Sequence, residues 1–269
     1  VHHFGRGQRD EALEMAVAFA CQSLFPYTLD RLSAVRLCQK AENSFIGVQC
    51  GIMDQYASGF GRKGHALFLD CRSLACEKVP LPETAVRMLV VNSGVKRRLA
   101  SAEYNKRREQ CTEAVKLLRP KFPQLKTLRD LEPARLINAL ELLPDPLKKR
   151  VEHVVTECGR VKEAVAALGR SDIPAVGKLL NASHASLRDL YEVSCPELDS
   201  LASAARQTEG VLGARMMGGG FGGCIIALAL PAAAEKALHS IGQIYQHRFG
   251  TLPEAWIVEA GDGAAEVTT

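Results

Sequence analysis

Two short segments of this 269-residue chain carry residue types that could do chemistry. The first is Met217-Gly218-Gly219-Gly220-Phe221-Gly222-Gly223-Cys224. A helix or strand would not choose so many glycines, because each one adds backbone entropy that folding must remove. A run like this suits a chain that needs positive φ, or one that must let a ligand or a second backbone come close. A bare turn between strands needs only one or two glycines. Gly218, Gly219, Gly220, Gly222 and Gly223 therefore read as a loop beside a phosphate or another active-site element, with a purely structural loop as the alternative. The second segment is AENSFIGVQCGIMDQ (41–55), in which Gly51 opens a short helix and Asp54 falls in its first turn. The helix dipole favours an ionised carboxylate there. By position alone, an aspartate at a helix start is commonplace.

Gly218, Gly220 and Gly223 also satisfy the letters G-x-G-x-x-G. A dinucleotide fingerprint needs that loop to open a helix, with an acidic residue ~20 positions on. Here a strand follows. A protein-kinase loop lies near the start of its domain with HRD and DFG downstream, and neither motif occurs in this sequence. The Walker pattern is absent too.

The spacing of apolar residues indicates the elements that must position these segments. Leu13, Ala16, Val17, Ala20 and Leu24 predict an amphipathic helix over 10–24. A second helix, capped by Thr28, is expected to run to about Glu42, and a short one over 52–58. Strands are predicted at 65–71 and 86–93. Helices follow at 101–118, 129–142, 148–168, 172–188 and 196–207. The chain then reads as strand 211–217, glycine loop 218–223, strand 224–230, helix 232–246 and strand 254–260. That order predicts an α+β ferredoxin-like sandwich with a helical insertion. A boundary is expected near residue 84, beside Pro80 and Pro82.

Hydrophobic residues at 47% and charged residues at 24% exclude disordered, collagen-like and coiled-coil classes. Lys+Arg 34 against Asp+Glu 30 gives +4 with the signs interspersed, too weak a bias for a nucleic-acid partner. The nine cysteines form no CxxC pair and several lie in apolar runs, which predicts reduced thiols in a cytoplasmic protein. No Cys/His pair has the spacing of a zinc site. The N-terminal VHHFGRGQRD has no apolar signal core. The uncharged stretch from Met216 to Ala234 is too rich in glycine to be a membrane helix, so no membrane association is expected.

Taken together, the two segments resemble the galactokinase branch of the GHMP small-molecule kinases. The resemblance is carried by AENSFIGVQCGIMDQ (41–55), GHALFLDCRSL (64–74), NSGVKRRLASAEYNKRREQC (92–111), YEVSCPELD (191–199) and RMMGGGFGGC (215–224), in family order. CGIMDQ with MGGGFGGC is far more specific than any glycine pattern. The resemblance implies a partial N-terminal GHMP kinase domain at 1–84 and a C-terminal one at 85–269. It also implies ATP- and Mg2+-dependent phosphorylation of the anomeric hydroxyl of galactose. Asp54 matches the family's catalytic aspartate, Gly51 a sugar-contacting backbone position, and Tyr104 a tyrosine that hydrogen-bonds the sugar. Glu42 matches the acidic residue of the magnesium site, and Gly218, Gly219, Gly220, Gly222 and Gly223 match the motif beside the phosphates. Lys96, Arg97, Arg98, Lys106, Arg107 and Arg108 read as a solvated face rather than an anion site.

Two motifs of that family have no counterpart in the sequence: the GRVNLIGEHTDY-type segment and the GLSSSA-type loop, whose backbone N–H groups cradle ATP phosphates. The chain as written is accordingly expected to transfer phosphate negligibly and to leave apolar faces of its first domain uncovered. The full-length parent is expected to be the active enzyme. The alternatives are a non-catalytic sugar-sensing or regulatory protein of the same branch, or an N-acetylgalactosamine kinase.

Overall fold

The computed structural model describes residues 6–25, 28–47, 50–95 and 100–265. The chain divides into two compact units, Val1–Glu83 with Glu259–Thr269, and Thr84–Val258.

The first unit holds helices α1 (Arg6–Leu24), α2 (Arg31–Ala41) and α3 (Met53–Phe60), with a π turn at Glu42–Ile46. Its hairpin pairs β1 (His65–Leu69) with β2 (Cys76–Pro80), His65 opposite Pro80. Asp30 rather than Thr28 caps α2, because its extended backbone lets the carboxylate accept the Ser33 N–H at 3.0 Å. Met15, Val35, Cys38, Ile52 and Tyr56 form the core. A Cβ at Gly59 would lie 2.7 Å from Val35 Cγ2, so the glycine is what lets α3 lie this close to α2. Residues 259–264 return to this unit, although the sequence pattern assigns them to the C-terminal domain. Gly263 N–H donates to the Gly61 carbonyl and Ala264 N–H to the Ser58 carbonyl, both at 2.8 Å. Strand β2 is silent in the sequence for a physical reason. Only Val79 of its CEKVP is buried, and Glu77 and Lys78 face solvent, so no apolar alternation marks it.

The second unit is built on an antiparallel sheet of β3 (Arg87–Asn92), β4 (Val211–Met216), β5 (Cys224–Ala229) and β6 (Ala255–Val258), in the order β4-β5-β3-β6. With α8 (Pro196–Gln207) and α9 (Ala234–Phe249), this is the ferredoxin-like arrangement. The inserted helices are α4 (Ala100–Leu118), α5 (Leu136–Leu140), α6 (Leu147–Gly169) and α7 (Ile173–Ser186), the last running into a second π turn at Leu187–Tyr191. Period-2 alternation sorts the sheet residues by face. Leu89, Val91, Ile225 and Ala227 pack with Leu198 and Leu201 of α8 and with Ile241 and Tyr245 of α9. Met88 and Leu228 face Ile173 and Val176 of α7 on the other side. The helix expected over 129–142 is instead two 3-10 turns followed by α5. The Thr127–Asp130 capping box closes the first turn, and Pro133, which has no N–H to donate, restarts the chain.

Among the described residues no helix is long and apolar enough to cross a membrane. The uncharged stretch near Met216 resolves into the end of β4, the glycine loop and β5.

Candidate functional site

In the first unit, the segment entering α3 is pinned before it reaches Asp54. Gln39 Nε2 donates to the Cys50 carbonyl at 3.2 Å, and Cys50 Sγ lies 3.6 Å from Asn43 Oδ1. Ile52 sits at the N-cap without a side-chain cap bond, and the half-buried Asp54 occupies the first turn, where the dipole favours its anion. Gly51 is exposed, and a Cβ there would meet none of the described residues within 4 Å. Packing therefore does not require glycine at that position. Glu42 is half-buried and begins the π turn, its carbonyl accepting the Gly47 N–H at 3.1 Å. π turns recur at functional sites. Among the described residues no group of three His, Cys, Asp or Glu could hold a metal ion on its own. A lone carboxylate such as Glu42 would be compatible only with a metal that keeps most of its ligands from water or substrate.

In the second unit, the structure brings Tyr104 and the glycine loop together. Tyr104 is half-buried in the first turns of α4, and a Cβ on Gly219 would sit 3.4 Å from its Cδ2. The loop runs largely through positive φ: Gly218 64°, Gly220 84°, Phe221 57°, Gly222 126° and Gly223 85°. A Cβ on Gly220 would lie 2.0 Å from the Val193 carbonyl oxygen, and one on Gly222 would lie 2.7 Å from that of Val95. Close backbone approach therefore accounts for these two glycines. The base of the loop is closed by Met217 N–H to the Cys224 carbonyl and Ser93 N–H to the Gly223 carbonyl, both at 2.9 Å.

The basic cluster requires a correction. Lys106 and Arg108 are exposed, but Arg107 is buried at 7% exposure. Its Nε donates to the Tyr191 carbonyl and its Nη2 to that of Glu192, each at 2.8 Å, and Nη1 lies 3.2 Å from Glu103 Oε2. Arg107 turns inward because it lies on the face of α4 that meets the 190–193 turn. Lys96, Arg97 and Arg98 lie outside the described residues. Arg150, at 2% exposure, joins the same turn. It donates to Gln110 Oε1 at 2.8 Å, to the Leu190 carbonyl, and to Glu192 Oε2 at 2.6 Å. Lys149 Nζ meets Glu192 Oε1 at 2.9 Å. Lys149 and Arg150 hold the Glu192 carboxyl down to about 2.

A second buried group flanks the loop. His184, fully buried, accepts the Met216 N–H on Nδ1 at 3.2 Å, so Nε2 carries its proton and lies 3.2 Å from Asp199 Oδ1. Asp199 also accepts from Ser194 Oγ at 2.6 Å. Burial alone would raise the Asp199 carboxyl, but the adjacent His184 ring and the Ser194 hydrogen bond outweigh it and hold the group below its ordinary range. The roles of Arg107, Arg150, His184, Glu192 and Asp199 do not emerge from the sequence. One signal is present there: His184 falls on the apolar stripe of Val176, Leu180 and Leu187, where a polar side chain must find partners.

The sequence matches the GHMP kinases N terminal domain over residues 12–62 and the GHMP kinases C terminal domain over 164–247. The backbone also resembles that of a mevalonate kinase from L. major solved with R-mevalonate, at TM-score 0.59 and 19% identity, over 96% of this chain and 67% of that one. Fold and matches together define the chain as a GHMP kinase. It is 43% identical to the galactokinase of Thermotoga neapolitana over 256 residues, 95% of this chain and 71% of that protein. It is 44% identical to human galactokinase over 253 residues, 94% of this chain and 62% of that protein. The structure of Lactococcus lactis galactokinase complexed with galactose superposes at TM-score 0.91 with 37% identity, over 96% of this chain and 66% of that one. The chain belongs to the galactokinase family, and it spans roughly two thirds of the length of these relatives.

Proposed function

We propose that the protein phosphorylates the anomeric hydroxyl of galactose with ATP, giving galactose 1-phosphate and ADP. The observation that carries this reading is the likeness to the galactose-bound Lactococcus lactis enzyme, at 37% identity and TM-score 0.91. In this reading the galactose O1–phosphorus bond forms as the bond from the γ-phosphorus to the ADP oxygen breaks, and the hydroxyl proton passes to Asp54. The transition state is loose, so positioning and charge neutralisation matter more than a strong base. An ionised Asp54 in the first turn of α3 suits such a reaction. It is a weak base but a good acceptor that holds the hydroxyl in line.

Gly51 presents backbone to the sugar, where a side chain would intrude. Tyr104 donates its hydroxyl to the sugar, which makes epimer discrimination sharp because a misplaced hydroxyl leaves a buried polar group unpaired. Gly218, Gly219, Gly220, Gly222 and Gly223 form the wall beside the phosphates. Glu42 would hold Mg2+, which would supply neutralisation of charge on the phosphate oxygens. A cytoplasmic setting is supported by cysteines that form no disulfide among the described residues.

The test is galactose-dependent ADP release by the full-length protein, with glucose and N-acetylgalactosamine as controls. The expected result is release with galactose and little with either control. Binding of galactose without any ADP release would favour a sugar-sensing protein. Release driven mainly by N-acetylgalactosamine would replace the substrate.

A further inference from the structure

We propose that Arg107 and Arg150 are positioning residues that lock the glycine loop by fixing the kinked turn at 190–193; this rests on the reading that the loop serves the phosphate donor. Both guanidinium groups are buried, and their donors engage backbone carbonyls, Gln110, Glu103 and Glu192 rather than being held for a ligand. Arg107 spans the carbonyls of two successive residues, Tyr191 and Glu192, a geometry that a planar fork provides and a lysine does not. Glu192 sits in the left-handed region (φ 55°, ψ 51°), which is rare for a side chain of its kind. Arg107 holds that kink through the carbonyl, and Arg150 holds it through the carboxylate.

The next residue passes the constraint on. The Val193 N–H donates back to the Leu187 carbonyl at 3.1 Å, and its own carbonyl accepts the Phe221 N–H at 2.7 Å. Phe221 is the one non-glycine within the run from Gly218 to Gly223, and it too has positive φ, an outlier for a bulky residue that persists only where its surroundings impose it. The Arg107 guanidinium carbon lies 5.9 Å over the Phe221 ring, so this arginine also touches the loop directly. Ser194, Asp199 and His184 tie the far side of the turn to Met216, where β4 enters the loop.

The experiment is hydrogen–deuterium exchange on the chain, comparing Arg107→Met and Arg107→Lys with wild type, followed by ADP and galactose affinities in the full-length protein. Arg107→Met keeps the stem and removes the fork; Arg107→Lys restores one charged donor, and reads the same effect should Arg107→Met fail to fold. The expected result is exchange about tenfold faster in the 217–224 peptide, less in Arg107→Lys, with α8 and α9 peptides unchanged. ADP affinity is expected to weaken about tenfold while galactose affinity moves less than about twofold. Loop exchange that stays at the wild-type rate, or that rises equally across all peptides, overturns the brace. A loosened loop with unmoved ADP affinity leaves the brace standing and removes the loop from the donor site.

Discussion

The ring of Tyr104 occupies the space into which a side chain on Gly219 would grow, with only 3.4 Å between Cδ2 and the position of a Cβ. Two motifs far apart in the chain, SAEY and MGGGFGG, are thereby in direct contact. Gly219→Ala meets an ordinary van der Waals distance and is expected to be close to neutral. Gly219→Leu must push the ring aside. It is expected to raise the KM for galactose much as Tyr104→Phe does, and the double variant should cost less than the sum of the two. Steady-state kinetics on the three variants of the full-length protein check this; full additivity would separate the two residues.

Gly220 and Gly51 should respond in opposite ways. A Cβ on Gly220 would collide with the Val193 carbonyl, at positive φ, so Gly220→Ala is expected to lose ~2–4 kcal/mol of stability in urea unfolding. Gly51→Ala has room among the described residues and is expected to stay within about 0.5 kcal/mol of wild type. Its effect should fall on galactose affinity, measured by calorimetry.

Glu192 makes stability depend on acid. Its carboxyl is held at about 2, against an ordinary 4.5, first by Lys149 and then by Arg150. The unfolded chain therefore binds the extra proton between those values. The pair's contribution is complete above pH 4.5 and fades as pH falls toward 2. Glu192→Gln is expected to flatten the pH dependence of the unfolding midpoint in that window, and an unchanged slope would refute the pairing.

The ordering of these elements was legible in the sequence because the helices carry a 3.6-residue apolar period, whereas the central strands read as short continuous apolar runs (88–91 and 224–230) closed by Asn92 and Pro231. Asp54 and the glycine run were legible as local chemistry. The support around them was not. Arg107 sits between exposed Lys106 and Arg108, and nothing in the letters says which of three neighbouring cations turns inward. Its partners are carbonyls 84 and 85 residues away, which carry no side-chain signature. The same applies to β2, of which only Val79 is buried, and to the C-terminal segment, whose return to Ser58 and Gly61 is made by backbone hydrogen bonds.

His153 should be neutral under physiological conditions. It lies 2.8 Å from Ser186 Oγ and stacks on Tyr191 at 4.5 Å, and burial pushes its imidazole down to about 4. The unfolded imidazole takes its proton near 6.5, so this site's contribution is complete above that pH and declines as pH falls toward 4. An NMR titration of the His153 ring protons is expected to show no transition near 6.5. A midpoint there would mean the ring is solvated.

The most direct measurement is 31P NMR of the full-length protein mixed with ATP, Mg2+ and galactose, beside its Asp54→Asn variant. Wild type is expected to build galactose 1-phosphate, and the variant to fall in kcat by roughly 100- to 10,000-fold while still binding galactose. Turnover in Asp54→Asn within a few-fold of wild type would contradict the assignment of Asp54 as the group that receives the sugar hydroxyl proton.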